Sequence, residues 1–193
     1  MKKSVFMLLL AVALIAIANQ SARAQMMSND SKDMNPMVGG AAMMRTMDII
    51  DNAVNSADHT TLVAAVKAAD LVATLKSKGP FTVFAPTNAA FDKLAAGTVE
   101  TLVKPENKAT LAKILTYHVV AGRFDAKAIA KLIEAGGGTA SLKTVSGDTL
   151  TARMNGKSLE LRDAKGGMST VTIADVYQSN GVIHVVDTVL LPK

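Results

Sequence analysis

The stretch Gly79-Pro80-Phe81-Thr82-Val83-Phe84-Ala85-Pro86-Thr87-Asn88-Ala89-Ala90-Phe91 decides how the rest of the chain is read. Gly79-Pro80 is a turn signal. In the extended segment after it, Phe81, Val83 and Ala85 share one face, while Thr82 and Phe84 share the other. Both faces are largely apolar, which predicts a strand covered on both sides. Pro86 ends it, because proline has no N–H for the next ladder bond. Thr87 then stands where an N-cap is needed, its hydroxyl accepting a free backbone N–H at the start of a helix over 88–94. Ala90 at the third helical position leaves the cap without a capping box.

On the N-terminal side a helical period begins at Asp48, with Ile49, Ile50, Ala53 and Val54 on one face. A second helix over 60–69 turns Leu62, Val63 and Val66 inward and takes Asp58 or Thr60 as its cap. A third, over 70–78, carries Leu71, Val72 and Leu75 and stops at Gly79. On the C-terminal side helices are expected over 98–103 and 105–116. Pro105 suits the first helical position, where its missing N–H costs nothing, and Leu111, Ile114 and Leu115 form the buried face. Asp125 caps a further helix bearing Ile129, Leu132 and Ile133, which ends in Gly136-Gly137-Gly138.

Beyond Gly138 the period changes to two. Strands are predicted over 142–145, 149–154, 158–162, 169–173 and 182–189, and Asn155-Gly156 is a hairpin signal because a type I′ turn needs positive φ at both positions. The segment 182–186 is apolar on both faces except for His184, the pattern of a central strand. A helix-rich first half followed by a strand-rich second half indicates the α+β class.

Three segments, in order, resemble the signatures of the fasciclin domain family. They are Thr82-Val83-Phe84-Ala85-Pro86-Thr87-Asn88 with its following Ala90-Phe91, then Leu115-Thr116-Tyr117-His118-Val119-Val120, then Asn180-Gly181-Val182-Ile183-His184-Val185-Val186-Asp187-Thr188-Val189-Leu190-Leu191-Pro192. The resemblance covers about 48–193 as a single domain. It implies a wedge of two small β-sheets with helices packed alongside. It also implies a non-catalytic module for adhesion to a cell-surface, extracellular-matrix or envelope partner, either a protein or a polysaccharide. In the family the Tyr-His segment is mainly structural and has also been linked to adhesion, which makes Tyr117 and His118 the candidate binding residues. Thr87, Asn88, His184 and Asp187 are the structural signature residues.

Composition narrows the setting. Met1-Lys2-Lys3, an apolar run over 5–18 and Ala22-Arg23-Ala24 describe a secretory signal peptide over 1–24. An apolar run of this length is short of the roughly 20 residues that span a bilayer, so the mature chain is expected to be a secreted protein, periplasmic or extracellular, without a transmembrane segment. Cleavage removes three cations and no carboxylate, lowering the formal charge from +5 to +2. The remaining lysines are spread among carboxylates, which argues against a nucleic-acid partner. With 0 cysteines there is no disulfide framework and no thiol chemistry.

Catalytic motifs are missing: no G-x-S-x-G, S-x-x-K, H-E-x-x-H or phosphate-cradling glycine loop occurs. The triple glycine follows a helix instead of opening one, so it reads as a C-cap. Neither an enzyme activity nor a cofactor is expected. Of the 3 histidines, His118 and His184 are the pair that a sheet might bring together at a metal; the alternative is that each is a hydrogen-bonded structural histidine. No Trp is present, which weakens a sugar-stacking platform against a protein surface.

Residues 25–47 read as a flexible, methionine-rich N-terminal segment, holding Met26, Met27, Met34, Met37, Met43, Met44 and Met47 of the chain's 11 methionines. Thioether sulfur suits cuprous copper, so Met34, Met37, Met43 and Met44 form an alternative metal or oxidant-scavenging site. Against this stands adaptable packing filler: Met43, Met44 and Met47 fall in phase with the Ile50 and Val54 face of the first helix.

Overall fold

A computed structural model describes residues 35–193. The strands are β1 (Met37–Val38), β2 (Ala41–Ala42), β3 (Phe81–Pro86), β4 (Val119–Ala121), β5 (Thr139–Lys143), β6 (Thr149–Asn155), β7 (Ser158–Arg162), β8 (Met168–Gln178) and β9 (Gly181–Val186). The helices are α1 (Ile49–Ala53), α2 (Thr60–Ala68), α3 (Val72–Lys76), α4 (Asn88–Asp92), α5 (Thr98–Leu102), α6 (Lys108–Tyr117) and α7 (Ala126–Ala135).

The motif strands β3 and β9 are neighbours. They pair in parallel, residue for residue, from Phe81 opposite Gly181 to Pro86 opposite Val186. Glycine is required where this ladder starts: a Cβ on Gly181 would lie 2.3 Å from the Phe81 carbonyl oxygen, and one on Gly79 would lie 2.2 Å from that of Asn180. Side-chain alternation then gives each face of the pair its own core. Val83, Ala85, Ile183 and Val185 pack with apolar residues of α1, α2, α3, α4 and α6. Phe84 and Val186 pack instead with Ile129 and Ile133 of α7 and with Leu142, Leu150 and Leu161 from β5, β6 and β7.

The seven-stranded order is β4-β3-β9-β8-β7-β6-β5. β8 serves two arms: its first residues, Met168 to Thr170, pair with β7, and Val171 to Gln178 pair with β9. Register shifts fall between Val171 and Ile173 and between Ile173 and Val176, and Asp175 there has φ 60°. Such bulges bend a strand, so the arms β4-β3-β9-β8 and β8-β7-β6-β5 form the two small sheets of the wedge. Their far ends meet again, where Val120 bridges Thr144 and the Val145 N–H donates to the Val119 carbonyl at 2.8 Å.

Several expectations change. Residues 35–47 are not a free tail. β1 and β2 form a hairpin through Gly39 and Gly40, at φ 57° and 76°, and Val38 and Met43 enter the first core. The Asn35 amide accepts from the Tyr177 N–H at 3.0 Å and donates to its carbonyl, as a neighbouring strand would. The Asn52 amide likewise holds both backbone groups of Met44 at 2.8 Å. A two-residue strand is too short to show a period, which hid the hairpin. The helix expected over 70–78 shortens to α3 because Asp70 adopts φ 60°. The strand expected over 142–145 starts earlier, at Thr139, and the strand expected over 182–189 stops at Val186. β4, three residues long directly after a helix, is a strand that no alternation announced. The signal peptide expected over 1–24 lies outside the described residues.

Met43 tests the packed N-terminus. Met43→Ala is expected to lower unfolding stability by about 2–3 kcal/mol in urea titration, as for other buried large-to-small changes; an unchanged midpoint would restore the free-tail reading.

Candidate functional site

The Tyr-His pair sits at the end of α6, whose last residue is Tyr117 and whose C-cap is His118. Neither side chain reaches the surface, with 0% and 3% exposure. The Tyr117 hydroxyl donates to the Thr149 carbonyl at 2.9 Å and accepts the Ala164 N–H at 3.0 Å, tying α6 to β6 and to the loop after β7. Burial pushes its pKa up. His118 Nδ1–H donates to the Ile114 carbonyl at 2.8 Å, and Nε2 accepts the Leu190 N–H at 3.0 Å. A backbone N–H only donates, so Nε2 carries no proton and the ring is neutral. Burial lowers the His118 pKa to about 4, against the opposing pull of the Ile114 carbonyl and Asp163. As binding residues Tyr117 and His118 are therefore corrected: Tyr117 is consumed in tying α6 to β6 and the loop after β7, His118 in holding the C-terminal segment against α6, and both are buried away from any partner.

His184 is bonded in the opposite sense. Its Nε2–H donates to the Phe124 carbonyl at 2.9 Å, Nδ1 faces the Asp175 N–H at 3.4 Å, and the ring stacks on Phe84 with centroids 5.6 Å apart. Burial lowers its pKa as well. Asp187 turns its carboxylate back onto β8, taking the Thr170 N–H at 2.8 Å, and pairs with Lys93 at 3.5 Å. Burial alone would raise the Asp187 pKa, but the Thr170 N–H, Thr188 and Lys93 together bring it below the usual carboxylate value.

Thr87 caps α4 as expected, accepting the Ala90 N–H at 3.2 Å. Asn88 does more than its own helix requires. Its carbonyl oxygen accepts the Thr61 N–H at 3.0 Å and its amide donates to the Ala57 carbonyl at 2.9 Å. Neither expected cap of α2 operates: the N-cap residue is His59, with no side-chain capping bond. The missing cap is supplied across space by Asn88. Asn180 plays a similar part that the sequence did not single out. It accepts the Ile49 N–H at 3.1 Å and donates to the Leu75 and Ser77 carbonyls at 2.7 and 2.9 Å. Its place beside Gly181 reads as a turn, so only its burial reveals the role.

The metal alternatives do not assemble. His118 and His184 have both ring nitrogens engaged by backbone, and among the described residues no group of three His, Asp or Glu has the spacing of a cation site. Met43 is buried at 6% exposure while its neighbour Met44 is 55% exposed, so their side chains leave the chain on opposite sides. Met37 is exposed on β1, and Met34 lies outside the described residues. Of the described three, Met43 is turned into the core away from the exposed Met37 and Met44 and does not share a site with them.

Two sheet arms that share β8, one of them holding the parallel β3–β9 pair, have counterparts among known proteins. The fasciclin domain family profile matches residues 57–192. Protein sll1483 of Synechocystis is 47% identical over 163 residues, covering 84% of this chain and 83% of that protein. Immunogenic protein MPB70 of Mycobacterium bovis is 38% identical over 143 residues, 72% of this chain and 65% of that one. A solved FAS1 domain pair from the insect cell adhesion molecule fasciclin I superposes with TM-score 0.67 at 20% identity, over 75% of this chain and about half (51%) of its own length. The chain belongs to the fasciclin domain family.

Two expected outcomes follow from this geometry. Thr87→Ala is expected to cost about 1 kcal/mol, read as a lowered thermal midpoint. For His118 the folded pKa, about 4, lies below the ordinary histidine value of 6.5, so the unfolded chain binds more protons between these limits. Its stabilisation is complete above pH 6.5 and is lost as pH falls toward 4, a loss of roughly 3 kcal/mol across the window. Denaturant titrations at pH 7 and pH 4.5 should show this decline, and His118→Gln should make it shallower, leaving the part that the buried His59 and His184 supply; a variant with the wild-type slope would remove His118 as a source.

Proposed function

We propose that this chain is an exported, non-catalytic binding module that adheres to a cell-surface or extracellular-matrix protein. The observation that carries the reading is where the polar and apolar groups are spent. The signature side chains are bonded to backbone within the domain, which leaves recognition to its exterior. There, among the described residues, Met37, Met44, Met47 and Val54 are exposed large apolar side chains that fall close together in sequence, while Val103, Leu132, Val145, Met154 and Met168 are spread along the rest of the chain. Asn52 fixes the backbone of Met44 from inside, and the Met47 carbonyl accepts the Ser179 N–H at 2.9 Å, so these methionines are held on a firm base. Methionine adapts its shape to a partner, which suits it to protein contact. Arg45 lies among them in sequence, its guanidinium 4.8 Å above the Tyr177 ring, giving this segment a fixed cation.

Family membership supports an adhesive role, as does the structural neighbour, an insect cell adhesion molecule. The leader over 1–24 supports export, and no helix among the described residues is long and apolar enough to cross a membrane. We place the mature domain from Asn35 to Lys193, one compact unit, which moves its expected start from 48 to 35.

The mature protein would be tested against intact cells, purified matrix proteins and envelope polysaccharide by surface-based binding measurements. A saturable protein partner is expected. The triple variant Met37→Ser, Met44→Ser, Met47→Ser should bind at least about tenfold more weakly, equivalent to 1.4 kcal/mol, with its melting temperature unchanged. Equal binding by the variant would move the contact elsewhere on the domain. Retention of polysaccharide alone, or of nothing, would overturn the reading.

A further inference from the structure

We propose that the outward face of the sheet arm formed by β5, β6 and β7 is a docking surface for an acidic polysaccharide, a linear sugar polymer bearing carboxylate or sulfate groups. The ladder registers fix which side chains share that face. Thr139 lies opposite Arg153, and Arg153 opposite Glu160. Ser141 lies opposite Thr151, and Thr151 opposite Arg162, while Lys143 lies opposite Thr149. Burial alternates along the three strands, and the residues turned the other way, Leu142, Leu150 and Leu161 among them, pack with Ile129 and Ile133 of α7.

Every outward position on these strands is Thr, Ser, Asn, Lys, Arg or Glu. The charge there is one-sided. Glu160 is the one carboxylate among those positions, and it is already committed: Arg153 Nε donates to it at 2.8 Å and the Asn155 amide at 2.7 Å. The Asn155 and Arg153 bonds hold its pKa below the usual carboxylate value, so it stays ionised and spent on them. Lys143 and Arg162 have no ion pair among the described residues. In sequence these cations are scattered among carboxylates; the antiparallel ladder brings them onto one face. Protein surfaces ordinarily intersperse the two signs, so a face whose sole acid is neutralised and whose cations are unspent complements an anion. Lys143 on β5 and Arg162 on β7 stand two strand spacings apart, roughly 10 Å. Charge set out at intervals suits a polymer better than a compact ion.

The same face selects among polyanions. Its outward positions offer no apolar side chain to anchor a protein partner or to sink below lipid headgroups. They offer no aromatic ring on which a nucleic-acid base would stack. What stands between the cations is a set of hydroxyls, those of Ser141, Thr149 and Thr151. A hydroxyl both donates and accepts, so it meets a sugar hydroxyl in either sense, and no ring platform is needed for that. The surface is carried by other elements than the Met37–Met47 segment, so it adds a second contact to the protein contact proposed above and does not depend on it.

The test uses the mature chain, with no protein partner present, on immobilised alginate, dextran sulfate and neutral dextran, and on polyglutamate and oligothymidylate as rival polyanions. Saturable binding to alginate or dextran sulfate is expected, with none to dextran; the preferred polymer tells carboxylate from sulfate. Raising the salt from about 50 to about 200 mM should weaken binding about tenfold, as release of counterions at roughly three contacts requires. Lys143→Gln with Arg162→Gln should also weaken it about tenfold at the lower salt. Lys127→Gln with Lys131→Gln removes the same charge from exposed positions of α7 and should leave affinity within about twofold. All these side chains are exposed, so the melting temperature of either variant should not move. Equal weakening by the α7 pair would reduce the effect to net charge, and an unchanged affinity of the β5–β7 pair would clear the face of any part in it. Tighter binding of polyglutamate or oligothymidylate would give the face to another polymer. Any of these results, or the absence of saturable binding to both acidic polysaccharides, would overturn the proposal.

Discussion

The parallel contact between β3 and β9 is the constraint on which the rest of the structure depends. Phe81 pairs with Gly181, so the two strands are brought together across most of the domain. Closing so long a loop costs chain entropy, and a parallel pair cannot be made by a hairpin. Burial on both faces is what offsets that cost. Phe84 and His184 are fully buried on one face, while Val83, Ala85, Ile183 and Val185 are buried on the other. Everything between the strands in sequence serves as their crossover, supplying one core with helices and the other with β5, β6, β7 and α7.

Holding polar groups inside such cores requires that each be bonded, and the domain does this chiefly through side chains that grip backbone. His118 links α6 to the chain beyond β9. His184 links β9 to the segment entering α7. Asn52 and Asn180 do the same around α1, the second also reaching the end of α3. In each case the side chain completes a backbone group that its own element leaves open, so removal would strand the partner as well. The two histidines use opposite tautomers because their neighbours differ: Leu190 offers His118 an N–H, whereas Phe124 offers His184 a carbonyl. Both arrangements need a neutral ring, which binds the integrity of the cores to pH.

This division of labour explains why the motifs identify the family and say little about the partner. Residues that specify the fold are inside, and the exterior is free to vary with what must be recognised. On this chain the exterior feature that stands out is the methionine-bearing stretch from Met37 to Met47, fastened down by Val38, Met43 and the Asn52 amide. One segment thus roofs the first core and supplies an exposed apolar face.

How much of this is legible in the sequence depends on the range of the interaction. Alternation in 81–85 and 182–186 marks two strands buried on both faces, and the helical period marks the elements that cover them, because local geometry alone sets those periods. Thr87 as a cap is likewise local, since it bonds a backbone group three residues on. The neighbourhood of β3 and β9, the capping of α2 by Asn88, the burial of Tyr117 and His118 and the roof formed by Val38 and Met43 are all contacts between distant residues. Their side chains carry no mark of their partner: a histidine that braces two backbones and one that meets a ligand are the same residue in a string. Tertiary structure decides between them by putting Ile114 and Leu190 against both nitrogens of His118. The sequence determined which segments must be buried; only the packed chain determined which backbone groups each buried polar side chain would meet, because those partners come from distant parts of the chain.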